Sequence, residues 1–159
     1  MIGLVETVRK QVDKNCVTSG RLQKQGCIVL LKDAPKPHLT IDFDKPGSPL
    51  SQEDIRCDHL FVADDADVSG WVVPLELKRG AVKATTIVQQ LQAGARAAER
   101  LVSRRMVVNF RPVLVYGGGM NKAQRSKLKE DDSKVKFHGT LEDIRLLKCG
   151  SALVQGLKL

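Results

Sequence analysis

Two strongly apolar stretches followed by a long helical pattern most constrain the fold of this chain. The segments "DIRCDHLFVADD" (54–65) and "GWVVPLELKR" (70–79) are separated by acidic, turn-forming residues, which predicts a pair of neighbouring strands. From Ala81 to about Arg104 the apolar residues recur at helical spacing. Those that fall on one arc are Ala84, Ile87, Val88, Leu91, Ala95, Ala98 and Val102. The pattern predicts a strand pair covered by a helix.

Shorter apolar segments on both sides of this unit predict the remaining elements. A first amphipathic helix is indicated by Ile2, Val5, Val8 and Val12 and fades near residues 15–20. Further strands are predicted in "CIVLLKD" (27–33), "LTIDFD" (39–44), "RPVLVYGGG" (111–119), "VKFHG" (135–139) and "DIRLLKCG" (143–150), and a polar helix or loop in "NKAQRSKLKEDD" (121–132). The order of helix, three strands, helix and further strands predicts an α/β protein, with a central mixed β-sheet flanked by helices in one domain, residues 1–159.

Charge and composition narrow the classes of partner. The formal net charge of +8 attracts polyanions, among which nucleic acid is the commonest inside cells, although a solvated basic surface would have the same composition. Aromatic residues make up only 4% of the chain, which argues against a surface that stacks unpaired bases on aromatic rings.

The cysteines and the N-terminal segment indicate in which cellular compartment the protein is expected. Cys16, Cys27, Cys57 and Cys149 form no CxxC pair and no Cys/His cluster, so a structural zinc site is not expected. The N-terminal segment carries acidic residues within its apolar pattern, unlike a signal peptide, and no stretch approaches the ~20 apolar residues of a membrane helix. We therefore expect reduced cysteines and a soluble, cytoplasmic protein without a membrane partner.

Charged residues at the end of the second apolar stretch indicate a site. Side chains alternate along a strand, so Glu76 and Lys78 project to one side, and pairing with the preceding strand would place Asp58 near them. A strand that simply reaches solvent is the alternative. Two carboxylates can hold Mg²⁺, and a lysine can position a water or offset negative charge on a phosphate. Asp42 and Asp44 also alternate, but they border loop signals and are expected to be solvated.

Asp58 followed by Glu76-Leu77-Lys78 resembles the motif of the PD-(D/E)xK nuclease superfamily, which has the restriction-endonuclease-like fold. The resemblance spans about residues 1–118 and implies a nuclease with this core. It implies that Asp58 and Glu76 bind Mg²⁺, for which Mn²⁺ substitutes, and that Lys78 orients the attacking water. The Leu77 carbonyl is a further candidate ligand, and Glu6 in the first helix is another.

The helix after the motif adds a fourth candidate. Exonuclease-like members of the superfamily often carry Gln-Leu-x-x-Tyr there, and the glutamine reaches the active site. Helical angles place Gln90 at the edge of the buried arc, whereas Gln89 and Gln92 fall with the arginines of the exposed face. The sequence departs from the superfamily at Gly94, which replaces the tyrosine, and at Cys57, which replaces the proline.

These features predict a magnesium-dependent nuclease that hydrolyses phosphodiester bonds in DNA rather than RNA. Candidate phosphate contacts are Lys83, Arg96, Arg100, Arg104, Lys122 and Arg125. A homodimer would be natural if both strands are cut. The alternative is a nuclease-like module without catalysis, which binds nucleic acid or a protein in a defence, repair or mobile-element system.

Overall fold

The computed structural model describes residues 3–67 and 69–157. The helices are α1 (Leu4–Arg9), α2 (Ala84–Leu101), α3 (Lys122–Leu128) and α4 (Val154–Leu157), with short 3-10 helices at Lys14–Cys16 and Asp131–Ser133. The strands are β1 (Val17–Thr18), β2 (Leu22–Lys24), β3 (Cys27–Val29), β4 (His38–Asp42), β5 (His59–Ala63), β6 (Trp71–Lys78), β7 (Asn109–Phe110), β8 (Val113–Tyr116), β9 (Val135–Phe137), β10 (Thr140–Glu142) and β11 (Arg145–Lys148).

The central sheet is mixed, as predicted. Its strands lie in the order β1-β4-β5-β6-β8-β11, and β7 pairs with the first residues of β6 on the side where β8 pairs farther along. The pairs from β1 to β6 are antiparallel, whereas β8 is parallel to both β6 and β11. The predicted α/β class, with a mixed sheet flanked by helices, is confirmed.

The strand β6 lies at the centre of this sheet and is buried on both faces. Its first seven residues are buried and only Lys78 is exposed, which accounts for the continuous apolar stretch in the sequence. On one face, α2 packs against β5 and β6. The helix approaches closely at Gly94, where an added Cβ would lie 3.0 Å from the Cβ atoms of Cys57 and Pro74. The absence of a side chain at Gly94 thus lets α2 lie against the segment that precedes β5.

The other face of the sheet is covered by the β2–β3 hairpin and α4. Leu22 and Val29 of the hairpin and Leu153 and Leu157 near the C-terminus share a core with the odd-numbered residues of β6. A disulfide joins Cys27 to Cys149, at the end of β11. The expectation that all four cysteines are reduced is therefore wrong for this pair, and only Cys16 and Cys57 are free. The pairing was not evident because the two cysteines are 122 residues apart in sequence.

Two other details differ from the predicted elements. The first helix ends at Arg9, well before residues 15–20, and the prediction for Ile2 lies outside the described residues. Before α2, the chain forms the short strands β1 and β2 as well as the predicted ones. In the described part of the chain, no helix has both the length and the apolar character that crossing a membrane requires.

The disulfide provides a test of the fold. A link between residues 122 apart closes a long loop in the unfolded chain, so we expect it to add about 2–4 kcal/mol to the free energy of unfolding. Reduction should lower the free energy of unfolding of the wild type, measured by urea denaturation, but should not change that of Cys149→Ala. Equal stability of the wild type with and without reductant would contradict the assignment, as would a non-reducing peptide map that lacks the cross-linked peptide.

Candidate functional site

The candidate site forms where the pairing of β5 and β6 ends. The last paired residues are His59 of β5 and Leu75 of β6. Beyond this pair, the adjacent residues are Asp58 on the first strand and Glu76 on the second. The backbone N–H of Asp58 donates to Oε1 of Glu76 at 3.1 Å, and the backbone N–H of Leu77 donates to Oδ2 of Asp58 at 2.7 Å. Each carboxyl group thus accepts a backbone hydrogen bond from the opposite segment. These side-chain hydrogen bonds take the place of the next backbone hydrogen bonds between the strands, and they bring the two predicted acids together.

Both acids are withdrawn from solvent. The exposed fractions are 2% for Asp58 and 3% for Glu76. Burial raises the pKa of Glu76 to about 9, with further contributions from the negative charge of Asp58 and from a hydrogen bond between the two carboxyl groups. Glu76 is therefore protonated at neutral pH in the structure as it stands. Two like charges in one buried place are costly, and one proton relieves the repulsion.

A lysine that the sequence did not single out completes the cluster. The ammonium of Lys24, at the end of β2, donates to Oδ1 of Asp58 and to Oδ2 of Asp44, the second contact at 3.2 Å. Partial burial lowers the pKa of Lys24, but the bonds to the two aspartates outweigh this effect and raise its pKa above the ordinary value. Asp44 is exposed, as expected, and it also pairs with Arg56 at 3.2 Å.

One local signal could have located the hairpin that carries Lys24. Gln25 and Gly26 both have positive φ, as a two-residue hairpin turn requires, and they join Lys24 to Cys27. A polar residue followed by glycine, between "LQK" and "CIV", is a recognisable signature of such a turn. The hairpin itself was therefore predictable. The position of the hairpin over the site was not predictable, because it depends on the packing of the second core, which is the apolar cluster on the face of the sheet that the β2–β3 hairpin and α4 cover.

The predicted lysine, Lys78, lies at the exposed end of β6. Strand alternation places it on the side of Glu76, but the lysine that contacts the acidic pair is Lys24. Lys78 is exposed to solvent. The two lysines thus differ in environment, since one is engaged with carboxylates and the other faces outward.

Gln90 lies on α2 at the edge of the site. It is half-buried and lines a cavity of 260 Å³ together with Lys24, Asp44 and Arg56. Gln89, which the helical angles assigned to the exposed face, lines the same cavity. Cys57, in the place of the superfamily's proline, is buried, and its thiol donates to the carbonyl of Leu75 at 3.0 Å. Burial raises the pKa of this thiol, so Cys57 is a neutral packing residue beside the acids.

Glu6 does not join the cluster. It is exposed on α1 and faces Arg9 at 3.9 Å. The start of α1 is bound to Asp64, whose carboxylate accepts from the backbone N–H of Leu4 at 2.7 Å. Asp64 follows β5, whereas Asp58 precedes it, and the strand rise puts the two aspartates ~20 Å apart. Glu6 therefore lies near the wrong end of the strand to reach the acidic pair.

The predicted basic contacts fall into three groups. Arg96 and Arg100 line an 820 Å³ groove between α2 and the 50–55 loop, and the groove adjoins the Lys24 cavity through shared lining at Asp54, Ile55 and Gln89. Lys83, Arg104 and Lys122 are exposed outside this groove lining. Arg125 is half-buried, and its guanidinium bonds to the hydroxyl of Tyr116 at 2.9 Å. Of the predicted phosphate contacts, Arg96 and Arg100 are thus the two that line the groove next to the Lys24 cavity.

The donor atoms fit a magnesium ion that keeps much of its hydration. Across residues 3–67 and 69–157, no three or more His, Cys, Asp or Glu side chains are grouped so that they could hold a metal ion. Asp58 and Glu76 supply two carboxylates, and Mg²⁺ is commonly bound by one or two carboxylates with waters and substrate phosphates. Leu77 adds a carbonyl on the same side, because a strand residue presents its N–H and C=O to the same neighbour and this N–H faces Asp58.

The raised pKa of Glu76 predicts how stability changes with pH. The folded state keeps the proton up to about pH 9, whereas the unfolded chain releases it near 4.5. The contribution of Glu76 to stability is therefore complete below pH 4.5 and is lost as pH rises to about 9. We expect the free energy of unfolding of the wild type, relative to Glu76→Gln, to fall by at least about 1 kcal/mol between about pH 6 and about pH 8.

Urea denaturation at a series of pH values would measure this difference, and subtraction cancels the contributions of other buried titratable groups. Glu130→Gln, at an exposed position, is the matched control and should give a profile parallel to the wild type. A profile of Glu76→Gln that is also parallel to the wild type would show that Glu76 is ionised in the folded protein.

Comparison with known proteins adds no family to this geometry. The chain matches no protein-family model, no curated protein and no solved structure. The resemblance to the PD-(D/E)xK superfamily therefore depends on the motif residues and on the order of elements around them. The functional interpretation depends on the chemistry of the acidic cluster itself.

Proposed function

We propose that this protein is a magnesium-dependent nuclease of the PD-(D/E)xK type that hydrolyses phosphodiester bonds in DNA. The observation that carries the proposal is the meeting of two almost fully buried carboxyl groups, Asp58 and Glu76, beside the exposed Lys78 at the end of a central strand. A strand that merely ran into solvent would leave its charges exposed. Buried acids at such a place are costly unless a site uses them.

Each side chain has a role in this proposal. Asp58 and Glu76 would hold the metal together with the Leu77 carbonyl, and the ion would supply charge stabilisation on the phosphate and a more acidic water. Lys78 orients the attacking water and offsets the negative charge that develops on the phosphate oxygens. Gln90 donates from the helix side to the same water or to Lys78. The water oxygen forms the new bond to phosphorus and gives up a proton to solvent, while the bond from phosphorus to the leaving ester oxygen breaks and that oxygen takes up a proton from solvent.

The groove beside α2 supports a nucleic-acid substrate. Arg96 and Arg100 lie along its wall, and its lining meets the cavity that contains Lys24 and Gln90. Guanidinium groups on one helix face can bind successive phosphates without reading bases. The proposal is therefore that DNA is bound through its backbone, which the net charge of +8 also favours.

Substitution of Lys78 tests the catalytic proposal. We expect Lys78→Ala to lower the rate of Mg²⁺-dependent DNA cleavage by about 100-fold or more, because a positioned cation is lost from the developing charge. Cleavage of a labelled duplex would be followed by gel electrophoresis. The control is Lys148→Ala, another exposed lysine at the end of a parallel strand in the same sheet, which should cleave normally. Unchanged cleavage by Lys78→Ala would overturn the assignment.

A second variant tests the proposed path of the substrate. Arg96→Ala combined with Arg100→Ala should weaken binding to duplex DNA about tenfold and lower the slope of log affinity against log salt by about 2, since two phosphate contacts are lost. Fluorescence anisotropy at several salt concentrations measures both. Lys32→Ala with Lys148→Ala removes the same charge outside the groove and should change the slope less. Equal slopes for the two double variants would contradict the proposed path.

A catalytically inactive, nuclease-like binding module is the second candidate. It is favoured by the ion pair of Lys24 with Asp58, which supplies a positive charge where a metal would bind, and by the absence of a three-ligand group in the described part of the chain. Calorimetric titration with Mg²⁺ or Mn²⁺ separates the two candidates. A folded sample without a binding site for either ion would favour the inactive module.

A further inference from the structure

Lys24 lies between a buried acid and an exposed one, and this position assigns it a role beyond simple ion pairing. We infer that Lys24 is a displaceable internal counterion, which neutralises Asp58 when no metal is bound and withdraws to Asp44 when a divalent cation takes its place. The inference rests on the metal site proposed above. It adds a competitor for that site which belongs to the chain itself.

The two carboxylate oxygens of Asp58 show where Lys24 and a metal ion would compete. Oδ2 accepts the backbone N–H of Leu77 at 2.7 Å and is committed to the sheet. Oδ1 is the other oxygen, and it is the one that the Lys24 ammonium contacts. A cation that binds Asp58 through Oδ1 therefore meets Lys24 at the same atom. Both cannot keep this position, because like charges repel at such short range.

Asp44 provides the second position. Its Oδ2 already lies 3.2 Å from the Lys24 ammonium, and its side chain is 39% exposed whereas that of Asp58 is 2% exposed. Arg56 holds the other carboxylate oxygen, Oδ1, at 3.2 Å. Lys24 can thus release the inner carboxylate and keep the outer one without losing every partner. The pair of Lys24 with Asp44 is solvated, so keeping it requires little desolvation free energy.

The hairpin that carries Lys24 does not need to move. Leu22, two residues earlier, is 1% exposed within the second core, and the disulfide at Cys27 holds the other strand of the hairpin. The rearrangement is confined to the flexible four-carbon side chain. A competitor of this kind sets the affinity of the metal site, since each bound ion must first displace Lys24 from Asp58.

Metal titration of variants tests the inference. Isothermal calorimetry with Mn²⁺ should show that Lys24→Met, which keeps the length but removes the charge, binds about five- to tenfold more tightly than the wild type, equivalent to about 1–1.4 kcal/mol. Lys24→Arg should bind nearly as the wild type does, because the charge remains. Lys32→Met, at an exposed lysine outside the site, should bind as the wild type does.

Substitution of Asp44 provides an independent test in the same calorimetric experiment. Asp44→Asn should weaken Mn²⁺ binding several-fold in the wild type, because Lys24 loses its outer partner, but should have no effect in the Lys24→Met background. Persistence of the Asp44 effect in that background would identify Asp44 as a ligand and overturn the inference. Lys24→Gln, whose amide can still donate to Asp58, replaces Lys24→Met if that variant does not fold.

The outcomes separate the inference from the proposed function. If the wild type binds Mn²⁺ but the neutral Lys24 variants bind no more tightly, the counterion role falls while the metal site stands. If neither the wild type nor any folded variant binds Mn²⁺, both fall. A purely structural Lys24 would lower the stability of its variants without tightening metal binding, which circular dichroism melts recorded on the same samples would reveal.

Discussion

The reciprocal hydrogen bonds between Asp58 and Glu76 and the opposing backbone hold the end of the sheet and create the site at once. They continue the pairing of β5 and β6 beyond its last regular residues, with side chains in place of carbonyl groups. Without them, the backbone N–H groups of Asp58 and Leu77 would lose these buried partners, at a cost of about 1–3 kcal/mol for each group left unsatisfied. The acids are thus part of the sheet, and their closeness is a consequence of strand register.

Two acids in one buried place create an electrostatic problem that the surrounding chain relieves only in part. Lys24 supplies one positive charge to Asp58, and the proton on Glu76 removes the second negative charge. A divalent cation would supply both charges together. In the structure, Lys24 and this proton thus provide the charge balance that the proposed divalent cation would otherwise supply.

The parts of this molecule that were predictable are those set by local pattern. The central layers were predicted from the apolar stretches around β5 and β6 and from the apolar arc of α2. The alternation of side chains along β6, together with pairing to the preceding strand, predicted that Glu76 lies near Asp58. Lys24 was not predictable, because it reaches Asp58 from a short hairpin whose position depends on the second core. The Cys27–Cys149 pair depends likewise on the sheet order, which brings β11 beside β8. Local periodicity carries no information on such distant contacts.

The β2–β3 hairpin, which carries Lys24, is anchored to a segment far along the chain, and this separation bears on the synthesis of the protein. Leu30 exchanges backbone hydrogen bonds with Ser151 and Leu153, and Cys27 is joined to Cys149. These anchors are synthesised after the strands of Asp58 and Glu76, which are complete by residue 78 and are joined by a short connection. In a nascent chain, Lys24 therefore cannot be held in place by these anchors until residues 149–153 have been synthesised.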